Sequence, residues 1–449
     1  MFSANRVIQV SALALGIAGV LAIAPAQASG FQLKENSVKG MGAAFSRSAI
    51  DETDASVVVN NPATMARFEG TTVQGDLSVI DLNAEFDGSG TDLLGQPLTG
   101  GNGGEAGDVT PVPALSVVHN FDNGLAVGAM VSAPFGLKTE YDEAWVGRYY
   151  AQKSEVEIVE LALTASVDIV PDRLSVGGGL TFSNADVTLS KAVDFGTALF
   201  GAGVPLPFAR PQAADGFAEV QGDDTGIGWI AGVDFRPTDK LSIGLSYRSE
   251  VDYDLEGTAD WTVPGNVRTV LDSTPRAPLF RDGDVTAKLT TPSTTTLSVG
   301  YAFNDQFSLA ATYSETGWES LQEVRINFAN PDPDSVEDFS WEDTAFMSLG
   351  GEFKLNDAWT LRAGYAYDET PTSVDTRTPR LPDEDRQWFS VGATWGISEQ
   401  LDLSFAYTHI KPDTPEIAII TPPAAGGQRR SGDYDSSVNL FGLSAQYRF

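Results

Sequence analysis

Apolar and polar side chains alternate along most of this chain with the two-residue period of a β-strand. Between residues 241 and 248 one set of alternate positions is small or polar, and the other is apolar or aromatic: Leu241, Ile243, Leu245 and Tyr247. The same alternation recurs over 359–367 and 401–408. Because successive side chains of a strand point to opposite faces of the sheet, each stretch predicts a strand with one apolar face.

The connections between these predicted strands alternate between short and long. The short ones carry turn-forming residues and lie at 121–124, 171–173, 237–240, 304–306, 356–358 and 398–400. The long ones are polar and lie near 83–110, 140–155, 186–225, 253–292, 319–341, 369–385 and 411–435. A soluble sandwich would also alternate its side chains. Short turns at one rim and long loops at the other are instead typical of an outer-membrane barrel.

These connections delimit fourteen strands, and an even number is typical of bacterial barrels. We place them near 71–82, 111–121, 124–139, 156–170, 173–185, 226–236, 240–252, 293–303, 306–318, 342–355, 358–368, 386–397, 400–410 and 436–449. Both ends of the barrel then fall on the short-turn rim, which is the periplasmic side. The prediction is an all-β fold, a 14-stranded antiparallel transmembrane β-barrel of the Gram-negative cell outer membrane, with both termini periplasmic.

Aromatic residues support a membrane location for this barrel. The chain ends at Phe449, which is in phase with Phe441 and Tyr447 on the apolar face of the last strand. Outer-membrane barrels commonly end in this way, and the barrel assembly machinery reads that end. Other aromatics near strand ends predict interfacial girdles, with ordinary sandwich core as the alternative: Trp318, Trp341, Trp359, Trp388, Trp395, Tyr247, Tyr313 and Tyr407.

Composition and the first residues fit export. Residues 1–28 read as a signal peptide with Arg6, an apolar run from Val7 to Pro25 and an Ala-x-Ala site, so that the mature chain begins at Ser29. A membrane anchor is the alternative. The chain has no cysteine and a formal net charge of −33, which argues against nucleic acid as a partner. The acidic loops are interpreted as a solvated outer face, or alternatively as a surface that bridges lipopolysaccharide through divalent cations.

Residues 29–70 break the alternation and have a different character. They contain the small-residue run 40–45, a segment from Asp51 to Val59 that turns from polar to apolar, and Asn60-Asn61-Pro62-Ala63. Fourteen strands enclose a lumen too wide for wall side chains to fill. We therefore predict that residues 29–70 form a plug, or hatch, inside the barrel of residues 71–449. A disordered periplasmic tail is the alternative.

Several motifs resemble the FadL family of outer-membrane long-chain fatty acid transporters, which includes members that take up aromatic hydrocarbons. The hatch of that family is similar to Gly30-Phe31-Gln32-Leu33, to residues 40–44 and to Asn61-Pro62-Ala63. The run Ala133-Pro134-Phe135-Gly136-Leu137 looks like its kinked third strand, and 145–150 looks like part of its third extracellular loop. Segments 247–251 and 381–388 also match, so the resemblance covers essentially the whole mature chain.

The resemblance implies passive transport of hydrophobic molecules, with long-chain fatty acids as the expected substrate and aromatic hydrocarbons as the alternative. It also implies that substrate leaves sideways, through a gap that the kinked third strand makes in the wall. Pro134, Phe135 and Gly136 are the expected lateral gate, because proline is excluded from a central strand unless the pairing is broken there. A bulge that only curves the wall is the alternative.

Candidate substrate contacts lie near the mature start and after the kink. Phe31 and Leu33 are apolar residues at the free N-terminus, where they could gate a pocket. A carboxylate head needs a cation, and an arginine among aromatic rings suits an amphipathic ligand. The candidates after the kink are Lys138, Tyr141, Trp145, Arg148, Tyr149 and Tyr150. An interfacial girdle with a loop salt bridge explains the same residues equally well.

Other function classes have less support in the sequence. A lipase needs a nucleophile with a base, but the two histidines, His119 and His409, fall at distant strand ends, and no Gly-x-Ser-x-Gly elbow is present. A general porin should have an open lumen, and an adhesive or structural barrel should hold no ligand. We expect a non-enzymatic monomer without cofactor or metal, surrounded by outer-membrane lipid and lipopolysaccharide.

Overall fold

The computed structural model describes residues 29–121, 123–205, 207–273, 279–422 and 426–449, so the predicted signal peptide lies outside the described residues. Nineteen strands run through this part of the chain. They are β1 (Thr71–Thr91), β2 (Val109–Asn120), β3 (Leu125–Glu140), β4 (Lys153–Val170), β5 (Leu174–Asp194), β6 (Asp215–Thr238), β7 (Leu241–Arg248), β8 (Val251–Thr262), β9 (Gly283–Thr291), β10 (Thr294–Ala302), β11 (Phe307–Thr316), β12 (Glu323–Phe328), β13 (Ser335–Asp338), β14 (Thr344–Asn356), β15 (Trp359–Asp368), β16 (Arg386–Gly396), β17 (Leu401–Pro412), β18 (Glu416–Ile420) and β19 (Arg429–Arg448).

Fourteen of these strands close into an antiparallel barrel, as predicted. The wall runs from β1 through β7, then β10, β11, β14 to β17, and β19. It closes where β19 pairs with β1, from Thr72 opposite Arg448 to Thr91 opposite Arg429. The other strands, β8, β9, β12, β13 and β18, extend the sheet on the long-loop side. Closure leaves the barrel without a free edge, except at the site described below.

The outer face of the barrel is apolar, and the phase of the last strand is confirmed. Phe441 is 50% exposed, and Phe449 is 62% exposed, whereas the alternate position Leu440 is fully buried. Trp359 and Trp395 also point outward and stack 5.9 Å apart. The girdle prediction is wrong for three other tryptophans, because Trp318, Trp341 and Trp388 are buried on the inner side of the wall.

The strands extend further beyond the membrane than the alternation predicts. β1 reaches Thr91 and β19 begins at Arg429, inside segments predicted to be loops. In these extensions the inner face carries only a few apolar residues, Ala84 and Phe86 in β1 and Tyr434 in β19, together with glycines. The apolar face is therefore too short to predict a strand, although the ladder continues. The predicted strand 240–252 is instead interrupted after Arg248: β7 pairs with β10 in the wall, while β8 pairs with β6 and β9 beyond it.

Residues 29–70 pack inside the barrel, and we call this segment the hatch. It contains short helices at Val38–Gly42 and Val57–Asn60 and a 3-10 helix at Pro62–Arg67. Asn61 caps the 3-10 helix, since its side chain accepts from the Ala63 N–H. The hatch backbone lies directly on the wall: a Cβ built on Gly42 would lie 2.9 Å from the Cα of Gly392. Only glycines allow this approach.

The hatch is fixed most strongly near the periplasmic rim. Arg67 makes ion pairs with Asp234 at 2.8 Å and Asp168 at 3.3 Å, and Arg236 pairs with both Asp234 and Glu52. These are charged groups held against the wall at low exposure, and removing one partner from such a group costs about 3–5 kcal/mol. The C-terminal half of the hatch is therefore expected to move little.

The N-terminal end of the hatch lies elsewhere. Ser29 donates from its hydroxyl to the Glu369 carbonyl at 2.7 Å, beside the end of β15 that faces the long loops. Ser29 therefore lies inside the barrel toward the long loops, and not at the periplasmic rim where the N-terminus was expected. The barrel itself begins and ends at the periplasmic rim. Short helices in the loops lie at Phe195–Gly201, Gly265–Leu271 and Trp318–Ser320. Within the described ranges, no helix has the length and hydropathy needed to span a membrane.

Candidate functional site

The wall is broken between β2 and β3. β2 pairs with β3 only up to the level of Leu115 opposite Val131. On the other side of β3, the register with β4 shifts between Ser132 and Phe135, which places Ala133 and Pro134 in a bulge. Among the described residues, the part of β3 beyond Ser132 has no ladder to β2. Pro134 therefore lies where the pairing fails, as its missing N–H requires.

The N-terminal end of the hatch occupies the edge of β3 that β2 leaves free. The Leu33 N–H donates to the Pro134 carbonyl at 2.8 Å, and the Gly136 N–H donates to the Phe31 carbonyl at 2.8 Å. Gln32 lies opposite Phe135 as in an antiparallel pair. The hatch thus adds a short strand at the break, and the two features form one unit.

An aromatic cage holds this short strand. The ring of Phe31 lies 5.0 Å from Trp318, 5.7 Å from Phe135 and 5.9 Å from Trp341, measured between centroids. Gly30 precedes it with a φ of +60°, and a Cβ there would lie 2.7 Å from the Trp318 ring. The close ring and the positive φ both require glycine at this position.

A larger apolar cluster continues from this cage toward the loops. Its side chains come from the hatch, three wall strands, β8, β9 and the long loops, and they fill the space between them: Phe31, Phe135, Leu137, Val156, Ile158, Ala185, Val251, Tyr253, Leu255, Leu289, Trp318, Leu321, Trp341 and Leu381. The barrel interior at this level is therefore apolar, in contrast to the polar lumen of an open channel.

A small cavity lies beside the break. It encloses about 100 Å³ and is lined by residues including Leu33, Lys34, Pro134, Phe135 and Arg248. Pockets for small-molecule ligands measure roughly 300–1,000 Å³, so this cavity is too small for a long hydrophobic molecule.

Cationic side chains gather at the loop side of the apolar cluster. The guanidinium groups of Arg380 and Arg430 lie 5.8 and 6.0 Å from the ring centroid of Tyr150. Lys191 interacts electrostatically with Arg380 and Arg430, and Arg148 interacts with Arg430. We call Arg148, Lys191, Arg380 and Arg430 the cationic cluster. Burial raises the pKa of the Tyr150 hydroxyl well above its ordinary value, so this ring stays neutral.

The cationic cluster is incompletely neutralised. Glu337 lies 3.4 Å from Arg380, and Asp215 lies 3.1 Å from Arg148. Arg430 is 3% exposed, yet its Nε and Nη1 atoms make no hydrogen bond to any described residue. Buried guanidinium donors without acceptors are costly. An added anion would therefore be stabilised here.

The cationic cluster and the apolar cluster adjoin one another. Arg380 is followed in the chain by Leu381, a member of the apolar cluster, and Glu337 lies two residues before Phe339, which packs against that cluster. The site thus has a cationic end below the loops, an apolar middle, and the break in β3 at its far end. This order suits a long amphipathic molecule with an anionic head.

The residues predicted from the sequence fall into two groups. Phe31, Leu33, Pro134 and Phe135 meet at the break, together with the Gly136 N–H. Of the candidates after the kink, Arg148, Tyr149 and Tyr150 reach the cationic cluster. Arg148, which pairs with Asp215, stacks on Tyr149 at 4.2 Å, and Arg380 and Arg430 lie over Tyr150.

The remaining candidates have partners within the loops. Lys138 pairs with Asp108 at 2.7 Å. Tyr141 stacks on Trp145 at 4.0 Å and donates to the Pro379 carbonyl at 2.7 Å. Their substrate contacts stay a prediction.

Sequence reasoning missed Lys191, Arg380 and Arg430. Each lies in a different segment, and each was hidden among the polar residues of a predicted long loop. The available signal was their charge, since basic residues are scarce in a chain of net charge −33.

Asn61 is at the hatch centre, where it donates to the Ala49 and Val233 carbonyls. In the described part of the chain, no three His, Asp or Glu side chains are arranged to hold a metal ion.

Comparison with known proteins agrees with this architecture. The chain is 28% identical to outer membrane protein P1 of Haemophilus influenzae over 464 residues, which is 97% of this chain and 98% of that protein. It is 26% identical to the long-chain fatty acid transport protein of Escherichia coli K12, over 88% of this chain and 91% of the other.

Solved structures give the same result. A FadL homologue from Pseudomonas aeruginosa superposes with a TM-score of 0.87 at 26% identity, covering 93% of this chain and 99% of that one. The toluene transporter TodX of P. putida shares the fold, with a TM-score of 0.67 at 18% identity, over 91% of this chain and 97% of the other. Residues 19–449 match the family described as outer membrane protein transport protein (OMPP1/FadL/TodX). The chain therefore belongs to the FadL/TodX family of Gram-negative outer-membrane transport proteins.

Proposed function

We propose that this protein carries long-chain fatty acids passively across the outer membrane and releases them sideways through the break between β2 and β3. The observation that carries this proposal is the buried, incompletely neutralised cationic cluster at one end of a long apolar cluster. Its relatives in the family include a protein named for long-chain fatty acid transport, which supports the same substrate class.

The head of the substrate binds at the cationic cluster. A carboxylate offers acceptors to the free Nε and Nη1 atoms of Arg430 and to the free Nε of Arg380. Hydrogen bonds to charged groups contribute about 1.5–3 kcal/mol each. A neutral aromatic hydrocarbon would gain none of this energy, and these guanidinium nitrogens would still have no acceptor among the described residues.

The tail of the substrate replaces side chains in the apolar cluster. The present cavity of about 100 Å³ cannot hold it, so binding requires that Phe31 leave its cage. When Phe31 and Leu33 withdraw, the edge of β3 at Pro134 and Gly136 also becomes free. Substrate entry and opening of the wall are then coupled through one short strand.

Exit is lateral because the remaining route is blocked. The hatch below the site is held to the wall by Arg67 and Arg236 through ion pairs with Asp234, Asp168 and Glu52. A hydrophobic molecule also has no reason to enter the aqueous periplasm through a polar path when the membrane lies beside the break. The protein acts as a monomer in this proposal, since one barrel contains the whole route.

Capture from outside is assigned to the loops. We propose that Lys138, Tyr141, Trp145, Arg148 and Tyr149, the residues predicted from the sequence to bind substrate, contact it during capture. Of these five, Lys138 alone is partly exposed, so contact with the other four requires the loops to open. The acidic loops around them keep the outer face solvated beside the lipopolysaccharide.

Binding measurements with matched ligands test the proposal. Purified protein in detergent is titrated with oleate, methyl oleate and toluene, before and after Arg430→Met. We expect oleate affinity to fall by about ten- to hundredfold, the equivalent of one charged hydrogen bond, with little change for methyl oleate. Arg429→Met is the matched control, because Arg429 is the exposed neighbour of Arg430. If methyl oleate binds the unaltered protein as tightly as oleate and toluene displaces both, the site takes hydrocarbons and the proposal fails.

A further inference from the structure

A buried ion pair joins β4 to β7 at the level of the break. Glu160 lies on β4 opposite Ser132, the last residue of β3 before the bulge, and is 1% exposed. Arg248 ends β7, and it donates from Nη1 to Glu160 Oε1 at 3.0 Å and from Nη2 to Glu160 Oε2. Two parallel N–H···O bonds are the arrangement in which a guanidinium group recognises a carboxylate. Arg248 is therefore oriented to bind a carboxylate, and Glu160 occupies that position.

The ion pair borders the small cavity beside the break. The side chain of Arg248 is 15% exposed and lines this cavity. Hydroxyl groups from four wall strands line it as well: Ser132, Ser246, Thr296 and Ser314. A cavity of about 100 Å³ is too small for an acyl chain, but it can hold a carboxylate on a short stem, since one water molecule takes about 30 Å³. Its size and its polar lining thus suit a head group.

The lining of this cavity has an excess of positive charge. It includes the cations Lys34 and Arg248 but, in the part of the chain that the structure describes, no aspartate or glutamate. The Lys34 Nζ lies 3.4 Å from Gln32 Oε1 and forms no ion pair with a described carboxylate. Asp368 and Glu35 interact with Lys34 electrostatically from beyond ion-pair distance. An anion in the cavity would therefore be stabilised by two cations.

We propose that this cavity is a second carboxylate site, in which the head of a departing fatty acid competes with Glu160 for the guanidinium group of Arg248. The site is separate from the cationic cluster, since none of the four cluster residues lines the cavity. Its part in transport rests on the proposed function. An ionised carboxylate is very costly to move into hydrocarbon, so the tail enters the membrane first while the head stays at Arg248. Competition with Glu160 keeps this binding weak enough for release.

A purely structural role for the ion pair leads to a different expectation. A pair that only braces β4 against β7 would leave the cavity without affinity for anions as long as Glu160 is present. In the proposed site, Lys34 and Arg248 attract a small carboxylate even then. Glu160→Gln removes the competing carboxylate, so the same anion should bind more tightly in that variant.

Binding of propanoate tests the site, because this carboxylate fits the cavity and is too short to fill the apolar cluster. Purified Arg430→Met protein in detergent, in which the cationic cluster is weakened, is titrated by saturation-transfer NMR, with propanamide as the neutral control ligand. We expect propanoate to bind more tightly than propanamide, and Lys34→Met to weaken its binding several-fold. Glu160→Gln should strengthen it at least tenfold, the equivalent of one charged hydrogen bond. Glu157→Gln is the matched control, because Glu157 lies on the same strand and is only half-buried.

A double variant shows where the propanoate binds. Glu160→Gln combined with Arg248→Met removes both charges of the ion pair and should lose the gain in affinity. Heat-shift gels show whether each barrel is folded, and Lys34→Met, which leaves the ion pair in place, decides the question if Glu160→Gln does not fold. The proposal is overturned if propanoate binds no better than propanamide, if Lys34→Met has no effect, if folded Glu160→Gln shows no gain, or if the double variant keeps the gain. No long-chain ligand is used, so the proposed transport of fatty acids can fail without affecting this result.

Discussion

Replacing Phe31 with alanine should release the N-terminal end of the hatch from β3 without unfolding the barrel. The substitution removes the ring from its cage of Phe135, Trp318 and Trp341. Deleting a buried phenylalanine ring costs about 3–5 kcal/mol, and the two backbone hydrogen bonds to β3 contribute only about 0.5–1.5 kcal/mol each. Since 1.4 kcal/mol corresponds to a factor of ten, the released population should rise by about two to three powers of ten.

Thiol labelling measures this release directly, because the chain has no cysteine. A single Ser132→Cys substitution places a thiol in the cavity wall, where the serine is 4% exposed. Maleimide should label this thiol at least tenfold faster when Phe31→Ala is also present. Phe68→Ala is the control, because Phe68 packs in a separate cluster of the hatch near β2. Equal labelling rates with and without Phe31→Ala, in barrels that remain folded, would refute the role given to this ring.

Three further predictions concern the gate and the hatch. Replacing Pro134 and Gly136 together by valine should restore ladder pairing. Cells with this variant should no longer take up fatty acid, whereas the purified variant should still bind it. Normal uptake would contradict the proposed lateral exit. Burial raises the pKa of Glu35 from 4.5 to about 7, so the folded hatch keeps a proton that the unfolded chain loses. The free energy of unfolding of the hatch should therefore fall by about 1.4 kcal/mol for each pH unit between these two values. Hydrogen exchange measures this free energy, and in Glu35→Gln it should no longer depend on pH in this way. Asn61→Ala removes the amide that donates to the Ala49 and Val233 carbonyls and leaves Ala49 with the longer hydrogen bond from the Thr64 hydroxyl. The substitution should weaken the hatch by about 1–3 kcal/mol, measured by the same exchange.

The barrel was predictable because its signal is local. Alternation at each strand and the turn residues between strands fix the number of strands and the face that meets lipid, as the exposure of Phe441 and Phe449 confirms. Strand ends were not predictable in the same way. Beyond the membrane β1 and β19 keep only a few apolar inward positions, such as Phe86 and Tyr434, so the ladder continues without a long apolar face to reveal it.

The site was only partly predictable because its parts meet through closure of the barrel. Pro134 and Gly136 are visible as strand breakers in one segment, and Phe31 as an apolar residue near a free end. The alternation assigns Trp318 and Trp341 to a strand end, but it does not distinguish a ring at the membrane surface from one that cages Phe31. Arg380 and Arg430 are likewise brought to Tyr150 by contacts between loops that share no local pattern.

The two ends of the hatch differ in what holds them, and this difference decides which end a substrate can move. Releasing Phe31 and its two hydrogen bonds costs about 4–8 kcal/mol by the estimates above. A fatty acid tail of about fifteen methylenes gains roughly 12 kcal/mol on leaving water, at about 0.8 kcal/mol for each. Binding can therefore drive the N-terminal end from β3. Expelling the whole hatch would also break the buried ion pairs of Arg67, at about 3–5 kcal/mol for each group left unpaired, together with its packing against the wall. In the proposed mechanism, opening beside β3 is therefore the transition whose cost the binding energy of the substrate can meet.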